Sequence, residues 1–314
     1  MLSMYSRRTT DIPLVAMLAL LLVSLLSACG SAPPQRPVAE TTGERLLREA
    51  RAAHAADRYQ QALLRYTDAT EHYRSLDDNR QLALALVSRA EILLLFGESE
   101  GAMRTLGELG DALQRFDNTP GLEARRLLLE ARLKASMSDG SEAARKAVAT
   151  LLDREDAIGE AARILDCREQ LRLGDGSCVS TLQPASRLGK ARVLRLRAEA
   201  QLNETNIEEA LRFNQEALQL YREAHYRPGI ASSLQERADI LSQSGEAGDR
   251  STARDLLVRA LDIRIWLRDR VHAARVTDRL ASMEPEGGWQ ALTTQLERER
   301  PRWLAIEGML DILR

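Results

Sequence analysis

Residues 57–70 read DRYQQALLRYTDAT, and their spacing is the main indication of the fold. It places Ala62, Tyr66 and Ala69 on one face of a helix, because residues three and four positions apart lie on the same side. Four later stretches repeat the arrangement, with an alanine followed four positions later by Leu, Ala, Asn or Leu. Their alanines are Ala102, Ala143, Ala210 and Ala253. The chain therefore contains a repeated helical unit.

A second column of alanines precedes the first. It comprises Ala50, Ala90, Ala131 and Ala198, each 12 residues upstream of its partner, and Ala238, which lies 15 residues before Ala253. Two antiparallel helices pack closely where both carry small residues at the crossing. One weaker unit has Cys178 in the alanine position. We expect successive helix hairpins that cover one another, with a generic helical bundle as the alternative.

This pattern resembles the tetratricopeptide repeat over about residues 44–300. The matching residues are Gly97 with Ala102, Asp57-Arg58-Tyr59 with Ala62, Tyr66 and Ala69, and Asn206-Ile207 with Ala210, Ala217 and Leu218. Repeat spacing runs from 32 to 43 instead of a constant 34, and the family's usual Trp is absent. The resemblance implies an all-α, right-handed superhelical solenoid of antiparallel hairpins.

The amino-acid composition is typical of a helical protein. Aromatic residues make up only 4% of the chain, and Ala, Leu, Arg and Glu dominate.

We assign about six hairpins to residues 44–268 and a degenerate hairpin with a capping helix to 269–314. Trp289 and Trp303 are predicted to cover that end, with exposed partner-binding residues as the alternative. Without residues 1–28 the net charge is near −3, which argues against nucleic-acid binding.

The first 28 residues have the order of an export signal. Arg7 and Arg8 precede an apolar run of 13 residues, which is too short to span a bilayer. Leu26-Ser27-Ala28-Cys29 then resembles the bacterial lipobox. The resemblance implies cleavage before Cys29 and acylation of Cys29 with lipid that includes palmitate. The alternative is an ordinary cleaved export signal followed by a chance cysteine.

Residues 29–43 contain three prolines and few apolar side chains, which is typical of an extended tether. Gly30 and Ser31 follow the lipidated Cys29, with no Asp after it. By resemblance to bacterial sorting signals, this predicts anchoring in the outer membrane, facing the periplasm.

Cys167 and Cys178 remain once Cys29 carries lipid. An even pair in an oxidising compartment predicts a disulfide, with two buried free thiols as the alternative. No further Cys or His lies near them, so we predict no metal site.

A catalytic signature is missing from the sequence. None of the four histidines forms a pair with metal-ligand spacing, and no serine lies in a nucleophile elbow. Gly174-Asp175-Gly176 has no phosphate-loop or dinucleotide-binding context and reads as a turn. We therefore expect no enzymatic activity and no cofactor.

In the repeat family, the first helix of each pair lines a groove that holds a partner peptide. The positions that correspond here are Arg51, His54, Glu91, Arg125, Arg132, Arg192, Arg195, Glu199, Asn203, Gln235 and Asp239. Together they form a groove with several arginines, suited to a carboxylate or an acidic segment. Any one of them could instead be an ordinary charged or polar residue on a solvated helix surface, with no role in binding.

The leading hypothesis is a non-enzymatic scaffold that positions a periplasmic or outer-membrane protein. The partner could be a peptidoglycan enzyme, a protease, or a pilus or secretin subunit. Two other classes stay open: a cell-wall or glycan enzyme with an unrecognised site, and a self-assembling structural protein.

Overall fold

The computed structural model describes residues 38–116, 120–137, 140–244, 247–298 and 303–313. Cys29, the signal peptide and most of the tether lie outside the described residues. The chain divides into two compact units, residues 1–42 and residues 43–314. The hairpins described here belong to the second unit, from Gly43 onward.

The described residues form α-helices and no β-strand. The helices are α1 (Val38–Ala55), α2 (Tyr59–Ser75), α3 (Asn79–Leu95), α4 (Ser99–Leu113), α5 (Pro120–Ala135), α6 (Ser141–Val148), α7 (Ala157–Arg172), α8 (Arg187–Asn203), α9 (Ile207–Glu223), α10 (Arg227–Ser244), α11 (Ala247–Trp266), α12 (Arg270–Met283), α13 (Trp289–Leu296) and α14 (Trp303–Leu313). Two 3₁₀ turns add to them, Ala149–Leu151 and Ser177–Ser180.

Consecutive helices pack as hairpins, and consecutive hairpins pack on each other. The pairs α3/α4, α8/α9, α10/α11 and α12/α13 have extensive contacts, and the first helices α3, α5 and α7 also touch in succession. The protein is thus an all-α solenoid of antiparallel helix hairpins, as predicted. Each hairpin buries the face that its neighbour leaves open.

Short turns with one left-handed residue reverse the chain between helices. That residue is Gly97 in one turn, and Asp57, Asp77, Thr205, His225 and Arg268 in others, with φ between 51° and 71°. The next residue often caps the following helix: Asp78, Asn206 and Asp269 each accept a hydrogen bond from the backbone N–H three positions later. Such caps satisfy N–H groups that have no partner within the helix.

The alanine columns lie at the helix crossings. Nine of the ten predicted alanines are at most 2% exposed: Ala50, Ala62, Ala90, Ala102, Ala131, Ala198, Ala210, Ala238 and Ala253. Ala143 is the exception, since it is exposed and Ala144 is fully buried. The prediction was one residue out of register there. The face of α6 that turns inward contains Ala144 and, four positions later, the buried Val148.

The fourth hairpin lacks a full second helix. The 3₁₀ turn Ser177–Ser180 stands in its place, and the buried Val179 points inward where the sequence suggested Cys178. Cys178 is instead joined to Cys167 on α7, with the sulfur atoms 2.09 Å apart. The predicted disulfide pair therefore ties this short segment to α7.

At the C-terminal end, Trp289 is almost fully buried among Leu292, Leu296, Ile306 and Leu310. Its indole N–H donates to Glu284 at 3.0 Å, so the buried polar atom is satisfied. Apolar residues of α14 thus cover the exposed side of the hairpin α12/α13.

The solenoid curves until its two ends meet. Arg227 forms an ion pair with Asp57 at 2.6 Å, and Arg270 forms one with Glu98 at 2.8 Å. The Gln60 side chain donates to the backbone carbonyl of Arg268 at 3.3 Å. We call this contact zone the seam.

Apolar packing accompanies the polar contacts of the seam. Leu267, in the turn before α12, is 2% exposed and belongs to the same apolar cluster as Tyr59 and Phe96. A side chain at Gly97 would come within 3.1 Å of Val271, so glycine allows this close approach as well as the positive φ. The hairpins consequently surround a central space.

Candidate functional site

A cavity of about 1020 Å³ lies within the closed solenoid and opens to solvent. Residues of the first helices α1, α3, α5, α7, α8 and α12 contribute to its wall. Its volume is at the upper end of the range that accommodates small molecules in proteins. It is therefore a concave surface large enough to hold a ligand, and we call it the main cavity.

Positive charge dominates this wall. The cavity is lined by five arginines, Arg132, Arg168, Arg172, Arg192 and Arg275, but by only two glutamates, Glu91 and Glu142. The whole chain carries a net charge of −2, so this positive charge is a local concentration. Clefts lined by one sign of charge attract ligands of the opposite sign.

Two of the five arginines share a carboxylate. Glu169 on α7 is fully buried; Arg168 Nε donates to it at 2.8 Å and Arg172 Nη1 at 3.1 Å. The Ser141 hydroxyl donates to the same carboxylate at 2.8 Å, and Arg172 also donates to the Ala135 carbonyl at 3.0 Å. These bonds hold α7 and its arginines in place against α5 and α6.

The other three arginines are free to bind a ligand. Among the residues that the structure describes, none forms an ion pair with Arg132, Arg192 or Arg275. Arg132 and Arg192 are half-buried, and both also line an adjoining cavity of about 190 Å³. Half-buried guanidinium groups that form no direct ion pair are only partly neutralised, so a bound anion would stabilise them.

The pKa of Arg132 reflects this environment. Its pKa is lowered to about 10, mainly by burial; the charge of Arg192 adds to this lowering, and the charge of Glu91 opposes it. Burial and the neighbouring Arg172 also lower the pKa of Arg168. The guanidinium groups of α5, α7 and α8 thus lie close enough to repel one another across the cavity.

Four of the predicted groove residues line the main cavity: His54, Glu91, Arg132 and Arg192. His54 makes edge-on contacts with the Tyr59 and Tyr66 rings, and burial lowers its pKa.

Other predicted groove residues are engaged in contacts within the protein. Arg125 pairs with Glu91 at 2.7 Å. Arg195 Nε donates to Glu236 on α10 at 2.8 Å. Gln235 accepts a hydrogen bond from Arg264 at 3.1 Å, and Asp239 lies 3.4 Å from Arg279. The contacts of Arg125, Arg195 and Asp239 link neighbouring hairpins, whereas that of Gln235 lies within the hairpin α10/α11.

Arg51, Glu199 and Asn203 complete the predicted set. All three are exposed, and none lines the main cavity. The positions that line the cavity are therefore a subset of the predicted face.

Sequence reasoning missed Arg168, Arg172 and Arg275. Arg168 follows the bridged Cys167 in the irregular fourth hairpin, where no second alanine column marks the register. Arg275 belongs to α12 and reaches the cavity only because the solenoid closes at the seam. The spacing of Arg168 and Arg172, four positions apart, was the one local sign that they share a face.

The sequence matches no known protein-family model, and no curated protein matches it. Within the described ranges, no helix is both long and apolar enough to cross a membrane. The described residues also bring together no group of three or more His, Cys, Asp or Glu side chains that could hold a metal ion.

Proposed function

We propose that this protein is a lipid-anchored, non-enzymatic scaffold of tetratricopeptide type, which holds an acidic segment of a periplasmic or outer-membrane partner protein in its central cavity. One observation carries the proposal: Arg132, Arg192 and Arg275 line the concave wall without ion-pair partners among the described residues. Arginine suits this role because its planar guanidinium binds carboxylates through two parallel hydrogen bonds.

Two features support the proposed location. The lipobox-like segment that ends at Cys29 implies an anchor, and the disulfide between Cys167 and Cys178 suits an oxidising compartment such as the periplasm. Replacing Cys29 with Ala should abolish incorporation of labelled palmitate and leave unprocessed precursor. Normal processing and anchoring of this variant would disprove the lipoprotein assignment.

The partner-binding proposal is tested by reversing charge in the cavity. We expect Arg132→Glu/Arg192→Glu to reduce the partners recovered from detergent-solubilised envelope by about tenfold or more, since two charge-assisted contacts are lost. The amount of partner recovered by the wild type should also fall as the salt concentration rises, because at 0.1 M ionic strength the attraction between charges is screened over about 10 Å. We prefer Arg132 to Arg195 because Glu236 already neutralises Arg195.

The matched control is Arg48→Glu/Arg222→Glu. Both arginines are exposed and neither lines the cavity, so the net charge changes equally while the cavity is unaltered. Equal loss of partners in both double variants, or in neither, would show that the cavity is not the binding surface.

A further inference from the structure

A side pocket adjoins the main cavity. It is the smaller cavity of about 190 Å³, and both spaces share four lining residues: Glu91, Arg132, Ala161 and Arg192. Most of its wall comes from two first helices, from one face of α5 and from the beginning of α7. The side pocket is therefore a recess between successive hairpins.

Apolar residues of these two helices form one part of the side pocket. Leu128 and Leu129 of α5 are almost fully buried, and Ile158 and Ala161 of α7 are half-buried. An apolar cavity of about 150 Å³ in a protein can hold benzene. The side pocket, at about 190 Å³, is thus large enough for an apolar group of that size.

Charged residues form the rest of its wall. Arg125 and Glu91 neutralise each other, because Arg125 Nη2 lies 2.7 Å from Glu91 Oε1. Arg132 and Arg192 form no ion pair with any residue that the structure describes, and their charges repel each other. Positive charge therefore remains where the side pocket meets the main cavity.

This combination is typical of a small-molecule site, in which apolar surface covers the ligand and a few polar groups fix its orientation. We propose that the side pocket binds a free small molecule with one anionic group and an apolar body about the size of a benzene ring. Arg132 and Arg192 bind the anionic group through charge-assisted hydrogen bonds. Leu128, Leu129 and Ile158 cover the apolar body. This site goes beyond the scaffold function, because its ligand is not a segment of a partner protein.

Benzoate is the probe for this site, because it joins a benzene ring to one carboxylate. Equilibrium dialysis of radiolabelled benzoate against the full chain in detergent micelles measures its binding, with empty micelles as the blank. Unlabelled competitors separate the two parts of the ligand: benzamide has the ring without the charge, and acetate has the charge without the ring. We expect a dissociation constant of about 1 mM or less for benzoate, and at least about tenfold weaker competition by benzamide and by acetate.

Two variants assign the binding to the side pocket. Arg132→Gln/Arg192→Gln should weaken benzoate binding by about tenfold or more, because both charge-assisted contacts are lost. Ala161→Leu should also weaken it, because the larger side chain occupies part of the recess.

Each variant has a matched control. Arg48→Gln/Arg222→Gln and Ala143→Leu make the same changes at exposed residues that line neither cavity. Both controls should bind benzoate as the wild type does. Circular dichroism checks that all four variants keep the helical fold.

The possible results are distinct. Competition by benzamide equal to that by benzoate would overturn the role of the arginines, and equal competition by acetate would overturn the role of the apolar wall. Benzoate binding that is unchanged in Arg132→Gln/Arg192→Gln or in Ala161→Leu, or no binding at about 10 mM benzoate, would overturn the site. The scaffold function is measured separately, by partner recovery, and would stand in each of these cases.

Discussion

At the scale of single residues, Arg264 and Asp269 show how buried charge is tolerated in this fold. Their side chains are 3% and 0% exposed, and their charged groups lie 2.9 Å apart. Arg264 also donates to Ser232 and Gln235. Burial lowers the pKa of Arg264, and the charge of Asp269 opposes that shift. The pair therefore depends on both partners being charged.

We predict that Asp269→Asn costs about 3–5 kcal/mol of unfolding free energy, because it leaves the buried guanidinium without a counter-charge. Asparagine can still cap α12, so the loss reports the charge and not the helix start. Urea denaturation followed by circular dichroism measures it. Glu216→Gln, which removes a carboxylate from an exposed ion pair with Arg212, is the control and should cost less than about 1 kcal/mol.

The double variant Arg264→Met/Asp269→Asn sharpens this test. Since both charges are gone, it should be more stable than Asp269→Asn alone. A double variant that is as unstable as the single one would mean that packing or hydrogen bonding, not unpaired charge, sets the cost.

At the scale of helices, α6 shows what decides the register of a repeat. Ala143 and Ala144 are adjacent, and either could continue the alanine column. Ala144 is fully buried with Val148, whereas Ala143 faces solvent. The larger apolar residue four positions later therefore decides which alanine turns inward.

We predict that Ala144→Trp destabilises the protein by at least about 1–3 kcal/mol, because an indole cannot fit at a tight helix crossing. Ala143→Trp should change stability by no more than about 0.5 kcal/mol, since it projects into solvent. Thermal denaturation compares the two, with Ala210→Trp at another buried crossing as a reference. Similar midpoints for the Ala143 and Ala144 variants would contradict this register.

At the scale of the whole molecule, the seam converts a row of hairpins into a closed array. Solenoid hairpins draw most of their stability from immediate neighbours. The contacts of Asp57, Glu98 and Leu267 are different, because they join hairpins far apart in the chain. Loss of the seam should therefore open the array without unfolding its hairpins.

We predict that Leu267→Asp opens the seam, since it places an unpaired charge in an apolar cluster. The radius of gyration from small-angle X-ray scattering should increase while the helical circular dichroism signal persists. Leu64→Asp is the matched control, because Leu64 is 68% exposed, and its radius should equal that of the wild type. An unchanged radius for Leu267→Asp would mean that the remaining seam contacts hold the array closed; a loss of helical signal would mean that closure is needed for folding.

The helices, their pairing into hairpins and the disulfide could all be predicted from the amino-acid sequence. Helix formation and hairpin packing depend on spacings of three and four residues and on small residues at crossings, and both can be read locally. Ala62 and Ala210 lie where that spacing predicted, and Cys167 pairs with Cys178.

The seam, the cavity and the arginines in its wall that form no ion pair depend on how distant hairpins pack, and they could not be predicted from the sequence. Arg192 and Arg195 are three positions apart on α8 and look equivalent in sequence, yet Glu236 on the next hairpin neutralises one and leaves the other free. Arg275 reaches the cavity only through closure of the solenoid. Closure depends on the sum of small rotations between hairpins, and no local pattern of residues encodes that sum.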